Sequence, residues 1–138
     1  MKLDWLRDKC ISRLLIHAGY HPKDVKRLKL ENLEDHPDHH DHDNCHKPII
    51  KIRNIKTKEH WKTTRNVIAC GCCGNHDEMN MDCEYSLFKL LLQNLPDDFA
   101  KKSLWWNTTG NKWNKTQGKD GMKQATIGAA LERINKRE

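Results

Sequence analysis

Apolar residues recur at helical spacing through the first third of the chain. Over residues 3–18 they return every three or four positions, which is typical of an amphipathic helix. Gly19 ends this pattern. Pro22 suits the first turn of a second, shorter helix, whose apolar side includes Val25 and Leu28. The sequence therefore predicts two consecutive helices here.

The middle of the chain changes to a different pattern. Residues 34–46 show no apolar periodicity and are predicted to form a loop. Residues 48–55 alternate apolar and basic side chains, as a half-buried strand does, and residues 66–69 resemble its partner. We expect a β-hairpin whose tip, within residues 56–65, is strongly cationic.

Helical spacing returns in the second half. An apolar pattern over residues 85–95, ended by Pro96, predicts a third helix. Residues 103–106 are consistent with a short strand, and the stretch rich in Asn, Gly and Thr that follows them is predicted to be a loop. Residues 121–134 again have helical spacing.

These elements predict an α+β fold, mainly helical, with a small antiparallel hairpin or three-stranded sheet. A length of 138 residues suggests one domain over residues 1–138 and excludes a large multidomain enzyme. Hydrophobic residues make up 36% and charged residues 32%, so we expect a thin core and a wide polar surface.

The charge is unevenly distributed. The net charge is +6, yet residues 34–46 hold five acids, five histidines and neither Lys nor Arg. The rest of the chain is therefore more basic than the net charge suggests, which favours a polyanionic partner such as DNA. The alternative is a charged surface that only aids solubility.

No apolar run approaches the length that spans a bilayer, and the charged N-terminus lacks the apolar core of a secretory signal. We expect an intracellular protein without a membrane partner, nuclear if the source is eukaryotic. The six cysteines are then more consistent with thiols or metal ligands than with disulfides. Cys10, on the apolar face of the first helix, is predicted to be buried.

A cluster of cysteines and one histidine favours structural zinc. Its members are Cys70, Cys72, Cys73, His76 and Cys83. Thiolate and imidazole donors so closely spaced in a Gly-containing turn can converge on one tetrahedral ion. Two ligand sets stay open: Cys72, Cys73, His76 and Cys83, or Cys70 and Cys72 completed by Cys83 with His76 or by Cys45 or His46. Free thiols in a surface turn are the alternative.

The acidic, His-rich residues 34–46 offer carboxylates and imidazoles to a divalent ion as well. These residues do not have the spacing that a fixed set of metal ligands shows, so a solvated loop is the simpler interpretation.

Basic residues gather in two places. The second helix carries four and the hairpin tip another four, and both sets are candidate phosphate contacts: Lys23, Lys26, Arg27 and Lys29, and Lys56, Lys58, Lys62 and Arg65. Exposed hairpin tips are also often Lys-rich for solubility alone. Trp105, Trp106 and Trp113 could stack on bases, although paired tryptophans beside an apolar helix more often belong to the core.

Residues 14–33, LLIHAGYHPKDVKRLKLENL, resemble the opening of the tyrosine recombinase (phage integrase) catalytic domain. Ala18 to His21 stand at the family's Thr-Gly-Leu-Arg motif, Asp24 at its acidic position, and Thr57-Lys58 at the Thr-Lys of its β-hairpin. The Cys-containing turn and Trp-rich segment are similar to the eukaryotic branch that includes the Crypton transposons. The resemblance implies a recombinase-like fold and DNA as partner, over residues 3 to about 134.

The sequence departs from this family at its catalytic positions. The family's first catalytic Arg falls at His21, which cannot supply a bidentate guanidinium fork, although Lys58 could still act as general acid. The family's His-x-x-Arg box and tyrosine nucleophile are absent, and neither Tyr20 nor Tyr85 stands in the nucleophile's place. We therefore expect DNA binding and recombination ancestry without DNA cleavage.

Two other functions stay open. One is a small zinc-dependent nuclease with His60 or His76 as base and a metal held by residues 34–46. The other is a protein-interaction module that uses the Trp105/Trp106 region or the acidic loop.

Reversing the charge of both Lys56 and Lys58 to Glu is expected to weaken binding to a generic duplex, because two phosphate contacts become repulsive. Affinity measured across a salt series checks this. An affinity that is insensitive to salt would count against the DNA-binding hypothesis itself.

Overall fold

A computed structural model describes residues 2–16, 19–36, 49–52, 67–69, 84–96, 103–114 and 121–137. They form an α+β fold of five helices, a short 3-10 helix and two small antiparallel sheets. The helices are α1 (Leu3–Ile16), α2 (Pro22–Lys26), α3 (Glu84–Asn94), α4 (Gln124–Gly128) and α5 (Ala130–Arg137), and the 3-10 helix covers Leu30–Asn32. The strands are β1 (Leu33–His36), β2 (Ile49–Ile52), β3 (Val67–Ala69), β4 (Asn107–Thr109) and β5 (Lys112–Asn114).

Helix α1 is the centre of the core. Its buried stripe of Leu6, Cys10, Ile11 and Leu14 contacts α3 on one side and α5 on the other. The predicted first helix and the burial of Cys10 are confirmed. Beyond the helix, Gly19 has φ +69, a left-handed conformation that costs glycine little.

The second helix is confirmed but short. His21 precedes it, and its Nδ1 accepts a hydrogen bond from the Lys23 N–H at 3.2 Å, which caps the first turn. Pro22 takes the first helical position, as predicted. Val25 and Leu28 are buried, and the chain then tightens into the 3-10 helix.

The first sheet has the order β1-β2-β3, all antiparallel. Pairing of β2 with β3 confirms the predicted hairpin strands, and Ile52 at the end of β2 is buried in the core. The prediction of a loop from residue 34 is wrong for residues 34–36. These residues pair with β2, Glu34 lying opposite Lys51, because β2 offers a second edge that no local pattern in an acidic segment reveals.

Helix α3 matches its prediction. Its buried face contains Tyr85, Leu87, Phe88 and Leu91. The helix packs against α1 and also contacts β3, so it joins the first sheet to the helical core.

The segment from residue 103 to residue 114 differs from expectation. Residues 103–106 form no strand, and the predicted loop after them contains the hairpin of β4 and β5. Gly110 and Asn111, with φ of 57° and 60°, make the tight turn that lets three-residue strands pair. The Asn111 Oδ1 also accepts the Leu3 N–H at 2.7 Å, which fastens the turn to the start of α1.

The final helical pattern folds as two helices. Residues 121–123 are not helical, and Lys123 lies in extended conformation directly before α4. The chain bends at Ala129 and continues as α5, whose Ala130 and Ile134 are buried. Helix α5 lies along α1.

A network of charged side chains around the buried Asp8 joins α5 to α1. Asp8 is fully buried and accepts hydrogen bonds from two arginines. Arg7 Nε lies 3.0 Å from Oδ1, and Arg133 donates through Nη2 to Oδ1 at 2.9 Å and through Nε to Oδ2 at 3.0 Å. The guanidiniums also donate to backbone carbonyls, Arg7 to Trp106 at 2.9 Å and Arg133 to Thr126 at 2.6 Å. One carboxylate is therefore shared by two cations, and the three side chains keep a net positive charge.

These partners determine the ionisation of Asp8. Burial alone would raise the pKa of its carboxyl above the ordinary 3.8, but the hydrogen bonds and positive charges of Arg133 and Arg7 outweigh burial and lower the pKa. The network therefore stabilises the fold at neutral pH, and its contribution is lost as the pH falls through the lowered value.

Replacing Asp8 with Asn is expected to cost about 3 kcal/mol of unfolding free energy near pH 7, because both arginines keep their charge and lose their counterion. Chemical denaturation of the wild type and Asp8→Asn across pH measures this. The difference between them should narrow as the pH falls below about 4. Glu132→Gln, at an exposed acid on α5, is the control and should change little. If the difference in unfolding free energy between the wild type and Asp8→Asn did not vary with pH, the ionised Asp8 would not be the source of this stability.

Candidate nucleic-acid interface

The helices α2 and α4 lie side by side and run in opposite directions. At one end, Lys26 Nζ donates to the Met122 carbonyl at 2.6 Å. At the other end, a methyl group added at Gly128 would lie 3.4 Å from Pro22 Cγ. The start of α4 therefore lies beside the end of α2.

Residues 103–106 hold this helix pair in place. Trp105 is completely buried, and its indole Nε1 donates to the Val25 carbonyl at 2.6 Å. The Leu104 N–H donates to the Leu28 carbonyl at 3.2 Å, and the Trp105 carbonyl accepts the Met122 N–H at 2.9 Å. Both α2 and the residues before α4 are thus hydrogen-bonded to one buried segment.

The predicted cations of the second helix have different environments. Lys23 and Arg27 are exposed and, four residues apart, lie on one face. Lys29 is partly exposed beyond the helix. Lys26 is partly buried, and its ammonium donates to a carbonyl. Over residues 22–29 these four cations are offset by Asp24 alone.

Sequence reasoning missed Lys123. It is exposed and directly follows Met122, so the pairing of the helices brings it beside the C-terminal end of α2. We call Lys23, Arg27 and Lys123 the basic edge. Only a long-range pairing between α2 and α4 creates it, and no spacing within the sequence signals that pairing.

The remaining predicted site residues lie outside the described part of the chain. They are Lys56, Lys58, Lys62 and Arg65 of the predicted hairpin tip, and Cys70, Cys72, Cys73, His76 and Cys83 of the predicted zinc cluster. Four of the five histidines and three of the five acids of residues 34–46 also lie outside it, whereas the backbone of residues 34–36 forms most of β1. Among the residues that the structure does describe, no group of three or more His, Cys, Asp or Glu side chains could hold a metal ion.

The tryptophan pair does not form a binding surface. Trp105 and Trp106 are 0% and 2% exposed, which confirms the core interpretation and leaves these indoles no surface for base stacking or for a partner; a protein partner elsewhere in this region stays a prediction. Their indole N–H groups are satisfied internally, Trp106 donating to the Ser103 carbonyl at 2.7 Å. Trp113 is partly buried against the core and donates to the Asn94 carbonyl at 2.9 Å.

The two tyrosines belong to the core as well. Tyr20 is 3% exposed, and burial, together with the negative charge of Asp24, raises the pKa of its phenol. Tyr85 is also buried. A phenol enclosed in the core does not present its oxygen to a substrate, so neither tyrosine is placed for covalent chemistry.

No family model, curated protein or solved structure matches this chain. In the described part of the chain, no helix is both long enough and apolar enough to cross a membrane.

Gly121→Ala is expected to destabilise the protein by about 3 kcal/mol. The residue has φ +85, and a Cβ there would lie 2.3 Å from the Trp105 carbonyl oxygen, against which the turn before α4 is packed. Thermal or chemical unfolding measures the loss.

Gly110→Ala is the matched control. Gly110 also has a positive φ, +57, but nothing lies within 4 Å of its added methyl. It should lose only about 1 kcal/mol, from backbone strain. Equal losses in the two variants would contradict the close packing of Gly121.

Proposed function

We propose that this chain is a DNA-binding domain, related to the tyrosine recombinases, whose basic edge contacts the phosphate backbone. The observation that carries the proposal is the pairing of α2 with the residues before α4, which puts the exposed Lys123 beside the end of the helix that carries the exposed Lys23 and is followed by the exposed Arg27. Phosphate contacts from such side chains position a protein on a duplex without reading its sequence.

The rigidity of the basic edge supports this role. Helix α2 and Met122, which lies just before α4, are hydrogen-bonded to the buried Trp105, so the cations lie on a fixed base. A preorganised set of charges loses less conformational entropy on binding than charges on separate mobile segments. The predicted cations at positions 56, 58, 62 and 65 would extend the contact.

We propose binding rather than strand cleavage. His21, at the position of the family's catalytic Arg, is exposed and uses Nδ1 to cap α2. An imidazole offers no bidentate fork to a scissile phosphate.

We propose further that one zinc ion braces the segment between β3 and α3. Cys70 directly follows β3 and Cys83 directly precedes α3, and these two elements contact each other. An ion held by ligands from this segment would therefore join two elements that already contact each other, which limits the entropic cost of gathering four ligands.

Replacing both Lys23 and Arg27 with Gln is expected to lower duplex affinity and to reduce the slope of log K against log salt by about 2, since each phosphate contact contributes roughly 0.9. Fluorescence anisotropy with a generic duplex at several salt concentrations measures both quantities.

The control for this variant is Lys112→Gln. Lys112 is an exposed lysine in the β4–β5 hairpin, which is fastened to the start of α1, whereas α2 follows the end of α1. Equal losses in both variants would show that charge at any surface position matters, and the proposed interface would be wrong.

Zinc analysis of the purified protein should find one ion per chain, and Cys83→Ser should lose it. Cys10→Ala is the control, because Cys10 is buried in α1 and should leave the zinc content unchanged. Wild-type protein without zinc, or Cys83→Ser that retains it, would contradict the zinc proposal.

A further inference from the structure

Lys26 differs from the other cations of α2. Its neighbours Lys23 and Arg27 are exposed, whereas Lys26 is partly buried with Nζ 2.6 Å from the Met122 carbonyl oxygen. A hydrogen bond from an ammonium to a carbonyl is stronger than one between neutral groups. Its charge is thus directed into the fold.

Met122 is held from two sides. Its N–H donates to the Trp105 carbonyl at 2.9 Å, and its own carbonyl accepts from Lys26. The next residue, Lys123, lies in extended conformation, and its carbonyl accepts the Ile127 N–H at 3.0 Å, within α4. The backbone on both sides of Lys123 is therefore fixed.

Without Lys26, the turn before α4 would lose its hydrogen bond from α2. The Met122 carbonyl would no longer be tied to α2, and the turn would depend on the Trp105 bond and on packing at Gly121. Lys123 would then no longer be held beside Arg27.

We propose that Lys26 is a positioning residue for DNA binding: it contacts no phosphate but holds Lys123 in the basic edge through the Met122 carbonyl. This inference rests on the proposed function. The four cations at positions 23, 26, 27 and 29 then have unequal roles, although the sequence pattern does not distinguish Lys26 from the others.

A double-mutant cycle tests the coupling. Lys26→Met and Lys123→Gln should each weaken duplex binding, by about fivefold, and the double variant should be little weaker than either single variant, because both remove the same contact. Arg27→Gln combined with Lys123→Gln is the comparison cycle. Those two losses should multiply to about 25-fold, since Arg27 and Lys123 make separate contacts.

Lysine footprinting on the wild-type chain tests the same point without a variant that could fail to fold. An amine-reactive acetylating reagent followed by mass spectrometry reports the rate at each lysine. Lys26 should react slowly both with and without a duplex, while Lys23 and Lys123 should react rapidly and be protected at least fivefold by it.

The outcomes separate the two proposals. Multiplying losses for Lys26→Met and Lys123→Gln, or a Lys26 that reacts rapidly and is protected by the duplex, would make it an ordinary phosphate contact and overturn this inference alone. A wild-type chain that neither binds the duplex nor shows protection at Lys23 would overturn the proposed function, and this inference with it.

Discussion

Residues 103–106 cross the interior without belonging to a helix or a strand, so their polar groups need individual partners. Some of these bonds lie within the segment, and three others reach different parts of the fold. The Trp105 indole donates to α2, the Trp105 carbonyl accepts from Met122, and the Trp106 carbonyl accepts from Arg7 on α1. The need to pair the buried polar groups of residues 103–106 therefore determines how α1, α2 and the start of α4 are arranged.

The buried polar groups of the Arg7–Asp8–Arg133 network also need individual partners, and these partners reach the end of the described chain. Arg7 connects Asp8 to residue 106, and Arg133 connects Asp8 to α5 and the Thr126 carbonyl of α4. Charges in a poorly solvated interior are costly unless partners are bonded to them, so the need for both the shared carboxylate and the carbonyl acceptors leaves the network few alternative geometries. The basic edge is attached to a core that is specified by buried polar contacts as well as by apolar packing.

Much of this architecture follows from local sequence pattern. The stripes of α1 and α3, the cap region of α2 and the strands β2 and β3 are confirmed because each has a clear period and clear ends. The β4–β5 hairpin was not predictable in the same way, since its strands have three residues each and its turn is Gly110-Asn111 rather than the more common Asn-Gly order. Residues 103–106 have the aromatic composition of a strand, but burial of both tryptophans and hydrogen bonds that join the segment to α1 and α2 prevail over that local preference.

The candidate interface was predictable in part. The charges of α2 are visible in sequence. Lys23 and Arg27 are exposed and Lys26 is partly buried, and this difference depends on the contact between Lys26 and Met122, which is 96 positions away. The participation of Lys123 depends on that same contact. Periodicity describes one helix at a time and carries no information about which helix lies beside it.

The most direct test of the account is an NMR titration of ¹⁵N-labelled wild-type chain with a short generic duplex at low salt. Among the residues that the structure describes, we expect shift changes concentrated in residues 22–29 and 121–125, with residues 107–114 unaffected, and we expect these changes to reverse when salt is added. Changes confined to the β4–β5 hairpin, or none at duplex concentrations well above the protein, would contradict it.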